Sequence, residues 1–176
     1  MPITKIDQVA SRYGDKGFSK NFVNDVLQKD DILFEVLGTM DELSSFIGLS
    51  YQYNKSEFLK TIQKTLQTIN SLIATPPTHA LYKKLVKISK EDITSLELGM
   101  QDLLNINLVE TRFYLPGSET TLAGAYLDVS RSITRRAERV MVRFVKQNLR
   151  DDLSFSLEYM NRLSDYLFIA VRAENK

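Results

Sequence analysis

Apolar positions recur at helical spacing through most of the chain, and polar residues interrupt them at regular places. Ile32, Leu33, Val36, Leu37, Met40, Leu43, Phe46 and Ile47 form one stripe, preceded by Asp30-Asp31, a pair suited to capping a helix N-terminus. Glu35, Thr39 and Glu42 fall on the other side of that helix. Phe58, Leu59, Ile62, Leu66, Ile69 and Ile73 define a second helix over 56–74, stopped by Thr75-Pro76-Pro77. A mixed stretch from Leu81 to Ile88 leads to Ser89-Lys-Glu-Asp92, which resembles a capping box before Ile93, Leu96, Met100, Leu103 and Leu104. Arg112 to Ser118, with Pro116-Gly117, reads as extended and turn-like. A long helix then spans about 119–148, and a last one starts near Ser154, packing Leu157, Met160, Leu163, Leu167 and Ala170. It leaves Glu158, Asn161, Arg162 and Asp165 on a polar flank.

Residues 1–29 carry no sustained apolar period and read as a loop. Within them, Gly14-Asp15-Lys16-Gly17 brackets an aspartate with glycines, which lets backbone N–H groups approach a phosphate closely; the same residues also suit a simple turn. With five helices and no convincing strand pair, the pattern predicts a single all-α domain over 1–176, a five-helix bundle (30–176) behind an irregular N-terminal loop (1–29).

The long fourth helix holds the most unusual charge pattern. Arg131, Arg135, Glu138 and Arg139 share one side of it, with Val129, Ile133, Ala137, Val140 and Phe144 on the other. Arg131/Arg135 and Arg135/Arg139 are like-charge pairs at i,i+4, each unfavourable for an isolated helix, and Glu138 offsets only part of that repulsion. Two readings fit. One is a solvated charged face; the other is a polyphosphate clamp, since the guanidinium fork matches phosphate oxygens in pairs.

Composition narrows the chemistry. Twenty-three Lys and Arg against twenty-two Asp and Glu give a net charge of +1, so an anion site must be a local concentration of charge and general nucleic-acid binding is disfavoured. The chain has no cysteine and one histidine, His79, beside Pro76-Pro77 in a predicted loop. Thiolate nucleophiles, zinc-thiolate sites, catalytic triads and multi-histidine metal sites are thereby excluded. An enzyme built from these residues works by positioning and electrostatics. The longest uncharged run, 65–82, is broken by prolines and rich in Thr, Gln and Asn, which argues against a membrane span. With no signal-like start, a cytoplasmic protein is expected.

Four blocks, in order, resemble one family: Ser11-Arg-Tyr-Gly-Asp-Lys-Gly-Phe-Ser19; Lys29-Asp-Asp with 34–45; Phe113-Tyr-Leu-Pro-Gly117 with 131–139; and Tyr159-Met-Asn-Arg-Leu-Ser-Asp-Tyr-Leu-Phe168. Together they look like the PduO-type ATP:cob(I)alamin adenosyltransferases. The similarity spans nearly the whole chain and is weakest from about 51 to 109.

The resemblance implies a homotrimer of five-helix subunits with active sites between neighbouring chains, binding ATP, magnesium and a cobalamin (corrinoid) substrate. The reaction it implies moves the 5′-deoxyadenosyl group of ATP onto Co(I) and releases triphosphate. The metal is then the nucleophile, so no cysteine or histidine base is needed. Carried over position by position, ATP binding falls to Ser11, Arg12, Tyr13, Gly14, Asp15, Gly17, Ser19, Lys29 and Asn161. The catalytic set is Arg131, Arg135, Glu138 and Arg139, with Glu138 also a possible magnesium contact and no metal ligand otherwise assigned. Phe113 matches a corrinoid-side aromatic that displaces the lower axial ligand of Co(II), Glu35 an acidic residue of the first helix, and Asp41 an intersubunit salt-bridge partner of Arg131. A Co(II) reductase and an adenosylcobalamin-dependent enzyme are the implied protein partners.

The chain departs from the family pattern at three motif positions, and two extra residues stand between the Leu-Pro turn and Arg131. Ser11-Arg-Tyr-Gly14 stands for the usual Thr-Lys-Thr-Gly, Gly117-Ser118 for Gly-Gly, and Asp128 for a histidine. Two other readings therefore remain: a catalytically weak relative that binds or delivers ATP or a corrinoid, and a structural bundle whose arginines pair with acidic partners.

Overall fold

The computed structural model describes residues 2–10 and 12–174, with the backbone alone at residue 13. Five helices carry the chain: α1 (Ile32–Asn54), α2 (Glu57–Ile73), α3 (Lys90–Ile106), α4 (Leu122–Asn148) and α5 (Ser154–Ala173). The predicted all-α bundle is the observed architecture, and most boundaries follow from local chemistry. The Asp31 carboxylate accepts from the Leu33 N–H at 2.8 Å and caps α1. Ser89 and Asp92 form the capping box of α3, with Ser89 N–H donating to Asp92 at 2.8 Å. Thr121 accepts from Gly124 N–H and starts α4, a few residues later than the hydrophobic pattern suggests. Lys55 and Leu149, both in left-handed backbone conformations, end α1 and α4.

The central helix of the bundle is α4, which packs against both α1 and α5; α2 covers α1 and α3 covers α5. Val36, Met40, Leu43 and Ile47 of α1 meet Ile133, Ala137, Val140 and Met141 of α4 and Met160, Leu163 and Leu167 of α5 in one core. Burying each of these side chains other than Ala137 contributes roughly 1.5–3 kcal/mol before the cost of ordering it. Because α4 is gripped from two sides, its buried arc is wider than a single stripe and takes in Ser130 and Thr134. Their hydroxyls donate to the carbonyls of Tyr126 and Ser130, both at 2.8 Å, which removes the cost of burying them. Val129, expected on the packed side, is instead substantially exposed at 38 %.

The N-terminal segment departs most from expectation. It holds a two-stranded antiparallel hairpin, β1 (Phe18–Lys20) against β2 (Val26–Gln28), with Ser19 opposite Leu27. Its turn is built by Asn21, whose side-chain oxygen accepts from the N–H groups of Val23 at 3.0 Å and Asp25 at 2.8 Å. Asn24 takes a left-handed conformation there. The hairpin lies against the end of α2, where Phe22 N–H donates to Ala74 C=O at 3.3 Å.

Candidate functional site

The arginines of α4 fall into two groups once their partners are known. Arg131 donates through Nε to Asp128 at 3.1 Å, Arg143 pairs with Glu35 at 2.8 Å, and Arg136 pairs with Glu42. Glu35 and Glu42 thus serve α1–α4 packing. Arg135 and Arg139 are exposed, and neither has an ion-pair partner among the described residues. Glu138 lies between them in sequence, half-buried, and accepts from the Asn161 side-chain amide of α5 at 3.0 Å. The structure therefore joins two residues carried over from separate blocks. What remains is an uncompensated pair of guanidinium forks one turn apart, flanked by an oriented carboxylate, which suits an anion with several oxygens.

A second cluster forms around the glycine loop. A 3-10 turn covers Tyr13–Lys16, with Arg12 and Gly17 in left-handed conformations at its ends. Lys29, delivered by the return strand of the hairpin, donates its N–H to Gly17 C=O at 2.8 Å. Its ammonium sits where a side chain at Gly14 would go, 2.8 Å from an ideal Cβ, so the glycine admits the lysine. Arg12, Gly14, Asp15, Gly17 and Lys29 are brought together, and Ser19 stands half-buried in the adjoining strand. Ser11 and the side chain of Tyr13 lie outside the described residues.

Among the described residues, no hydrogen bond or ion pair links 12–19 to 131–139. Asp41 is exposed on the wall of a cavity of about 540 Å³ between the hairpin, α1 and α2, alongside Lys20, Phe34 and Asn70. It has no ion-pair partner among the described residues, and Arg131 is engaged elsewhere.

Phe113 is fully exposed. The loop that carries it is nevertheless well fastened. Arg112 pairs with Glu110 at 3.0 Å and Glu119 at 2.5 Å, and these contacts hold the Glu119 carboxyl below the usual carboxylate range, the Arg112 hydrogen bond being the chief cause. The Tyr114 hydroxyl donates to Glu110 C=O and accepts from Glu110 N–H, both at 3.0 Å. Asp128 is buried in α4 between Arg131 and Arg172 and accepts from Gly117 N–H at 3.1 Å. The Asp128–Arg172 pair and Tyr114 were not singled out as structural elements from the sequence. The clue present there was a charged residue at a packing position in each of two helices.

His79 is exposed and its Nδ1 accepts from Leu81 N–H at 3.2 Å, a local cap rather than a ligand contact. A groove of about 660 Å³ beside Phe58, Leu98, Gly99 and Tyr166 is lined by none of the expected site residues. No helix among the described residues is long and apolar enough to cross a membrane.

Residues 9–174 match the model of the cobalamin adenosyltransferase family, and the chain belongs to that family. It is 36% identical to the human corrinoid adenosyltransferase MMAB over 96% of this chain and 69% of the relative. It is 34% identical to a corrinoid adenosyltransferase of Citrobacter freundii, over 95% of this chain and 94% of that one. Among solved structures, it is similar to a variant PduO-type ATP:corrinoid adenosyltransferase from Lactobacillus reuteri complexed with cobalamin and ATP. The TM-score is 0.84 at 29% identity, covering 94% of this chain and 92% of that chain.

Proposed function

We propose that this protein transfers the 5′-deoxyadenosyl group of ATP to the Co(I) of a reduced corrinoid, giving adenosylcobalamin and triphosphate. The observation that carries this reading is the partition of the α4 arginines: Arg131, Arg136 and Arg143 each hold a carboxylate, while Arg135 and Arg139 hold none among the described residues. In the reaction, the cobalt electron pair forms the Co–C bond to C5′ as the C5′–O bond breaks, and that bonding pair leaves with triphosphate. Negative charge grows on the leaving group, so Arg135 and Arg139 stabilise the transition state more than bound ATP. Asn161 orients Glu138, which fits magnesium carried by the nucleotide: this ion takes one or two protein carboxylates and fills its shell with phosphate and water. Magnesium supplies neutralisation of phosphate charge when bound.

The glycine loop and Lys29 supply the second half of the nucleotide site, contributed to the arginines of a neighbouring subunit in a homotrimer. The separation of the two clusters within one chain supports this arrangement. So does Asp41, exposed and without an ion-pair partner among the described residues, which pairs with Arg131 of the partner subunit. Phe113 stands on the corrinoid side. A cytoplasmic location with a Co(II) reductase and an adenosylcobalamin-dependent acceptor completes the reading. Anaerobic mixing with Mg-ATP and chemically reduced cobalamin, following the Co(I) absorbance band, tests it. Loss of the band with triphosphate release is expected; a stable band in the presence of bound ATP would leave only a binding or delivery role.

A further inference from the structure

Phe113 is fully exposed, yet its neighbour Tyr114 turns inward and is half-buried. The Tyr114 ring meets two guanidinium groups, Arg112 at 4.0 Å and Arg172 at 4.1 Å from its centre, and Phe168 edge-on. Arg172 is itself buried, near the end of α5, and its charge is met by Asp128 at 3.2 Å. The same carboxylate oxygen accepts from the N–H of Gly117, which takes a left-handed conformation at φ 71°. Asp128 therefore holds the loop at two points: directly at Gly117, and through Arg172 at Tyr114. Its side chain is 3% exposed, so these bonds are shielded from water and act on the loop at nearly full strength.

We infer that Asp128 is a positioning residue for the corrinoid-side reaction: with Arg172 it fixes the loop that holds Phe113 out from the bundle. An exposed aromatic on a mobile loop would pay an ordering cost each time it met a flat macrocycle, and a loop already held in place avoids that cost. The assignment rests on the proposed adenosyl transfer, because only that reading gives Phe113 a corrinoid to meet.

The chain contains no tryptophan, so Phe113→Trp places a single indole reporter at the loop tip. Asp128→Asn keeps the volume and one acceptor but removes the charge. In the Asp128→Asn background, the fluorescence anisotropy of that indole should fall while the helical content by circular dichroism stays that of the parent; the thermal midpoint should drop, because Arg172 is left as an uncompensated buried charge. In the Phe113-containing enzyme, Asp128→Asn should slow transfer that begins from Co(II) with a reductant at least tenfold. Combined with Phe113→Ala it should slow transfer little beyond Phe113→Ala alone, since a residue acting through another gives non-additive losses. Unchanged anisotropy, or losses that multiply, would overturn the assignment. If Asp128→Asn does not fold, Asp128→Leu/Arg172→Met replaces the buried pair by apolar groups of similar size, a change that cores often accept, and the same readouts decide. Failure of the unmodified protein to transfer adenosyl sinks the functional reading and with it this role for Phe113. Unchanged anisotropy in a transferring enzyme sinks only the part assigned to Asp128.

Discussion

The Asn161 side-chain amide donates to the Glu138 carboxylate at 3.0 Å, joining α5 to the arginine face of α4. The bond fixes which way Glu138 points between Arg135 and Arg139, and it leaves lone pairs on the carboxylate for a ligand.

Asn161→Asp replaces the donor with a like charge beside Glu138. The repulsion should turn one carboxylate away or protonate it. Isothermal titration should show Mg-ATP binding weakened about tenfold, a loss of roughly 1.4 kcal/mol, with little change in the fold by circular dichroism. Unaltered affinity would place Glu138 outside the nucleotide site.

Two neighbouring arginines should behave differently. Mg-ATP should raise the thermal midpoint of the native protein, as any ligand confined to the folded state does. Arg135→Ala should abolish most of that shift. Arg136→Ala removes a surface pair with Glu42, costs about 0.2–1 kcal/mol of stability and should keep the shift. Arg135→Lys retains charge without the fork, so turnover should fall far more than ATP affinity. Equal shifts for both alanine variants would mean that ion-pair occupancy does not identify the phosphate contacts.

Acid should loosen the Phe113 loop before the core. The Arg112 hydrogen bond depresses the Glu119 carboxyl in the folded state. A depressed carboxylate contributes stability above its unfolded pKa, about 4.3, and that contribution disappears as pH falls through the lower folded value. Protection factors across 110–119, which correct for the slower intrinsic exchange in acid, should therefore fall as pH drops below about 4.3, while α4 keeps its protection; Glu119→Gln should show the lowered protection already at neutral pH. A loop equally protected in acid would contradict this.

The helices were readable because long amphipathic stripes and their caps coincide: Asp31, Ser89 and the proline stop at 76–77 sit where the apolar period begins or breaks. The hairpin was not readable, since three-residue strands carry too little alternation and its turn depends on one asparagine side chain. Val129 lies just outside the buried arc of α4, which extends the other way, through Ser130 and Thr134, polar residues that an apolar period does not mark. The carried-over pair Glu138 and Asn161 came together as blocks that share a site would. Asp128 looked like a mere departure from pattern; its value lies in long-range partners, Gly117 and Arg172, that spacing alone does not reveal.

In the proposed homotrimer, the glycine loop and the arginine face work together only across a subunit boundary. Asp15→Ala removes one half and Arg135→Ala the other, so each variant alone should be nearly inactive. Mixed and reassembled, trimers containing both chains regain an interface with both halves native, and loss of the Co(I) absorbance with Mg-ATP should recover to a sizeable fraction of the native rate. A mixture as inactive as its two components, with exchange of subunits verified by mass spectrometry, would contradict a site shared between chains.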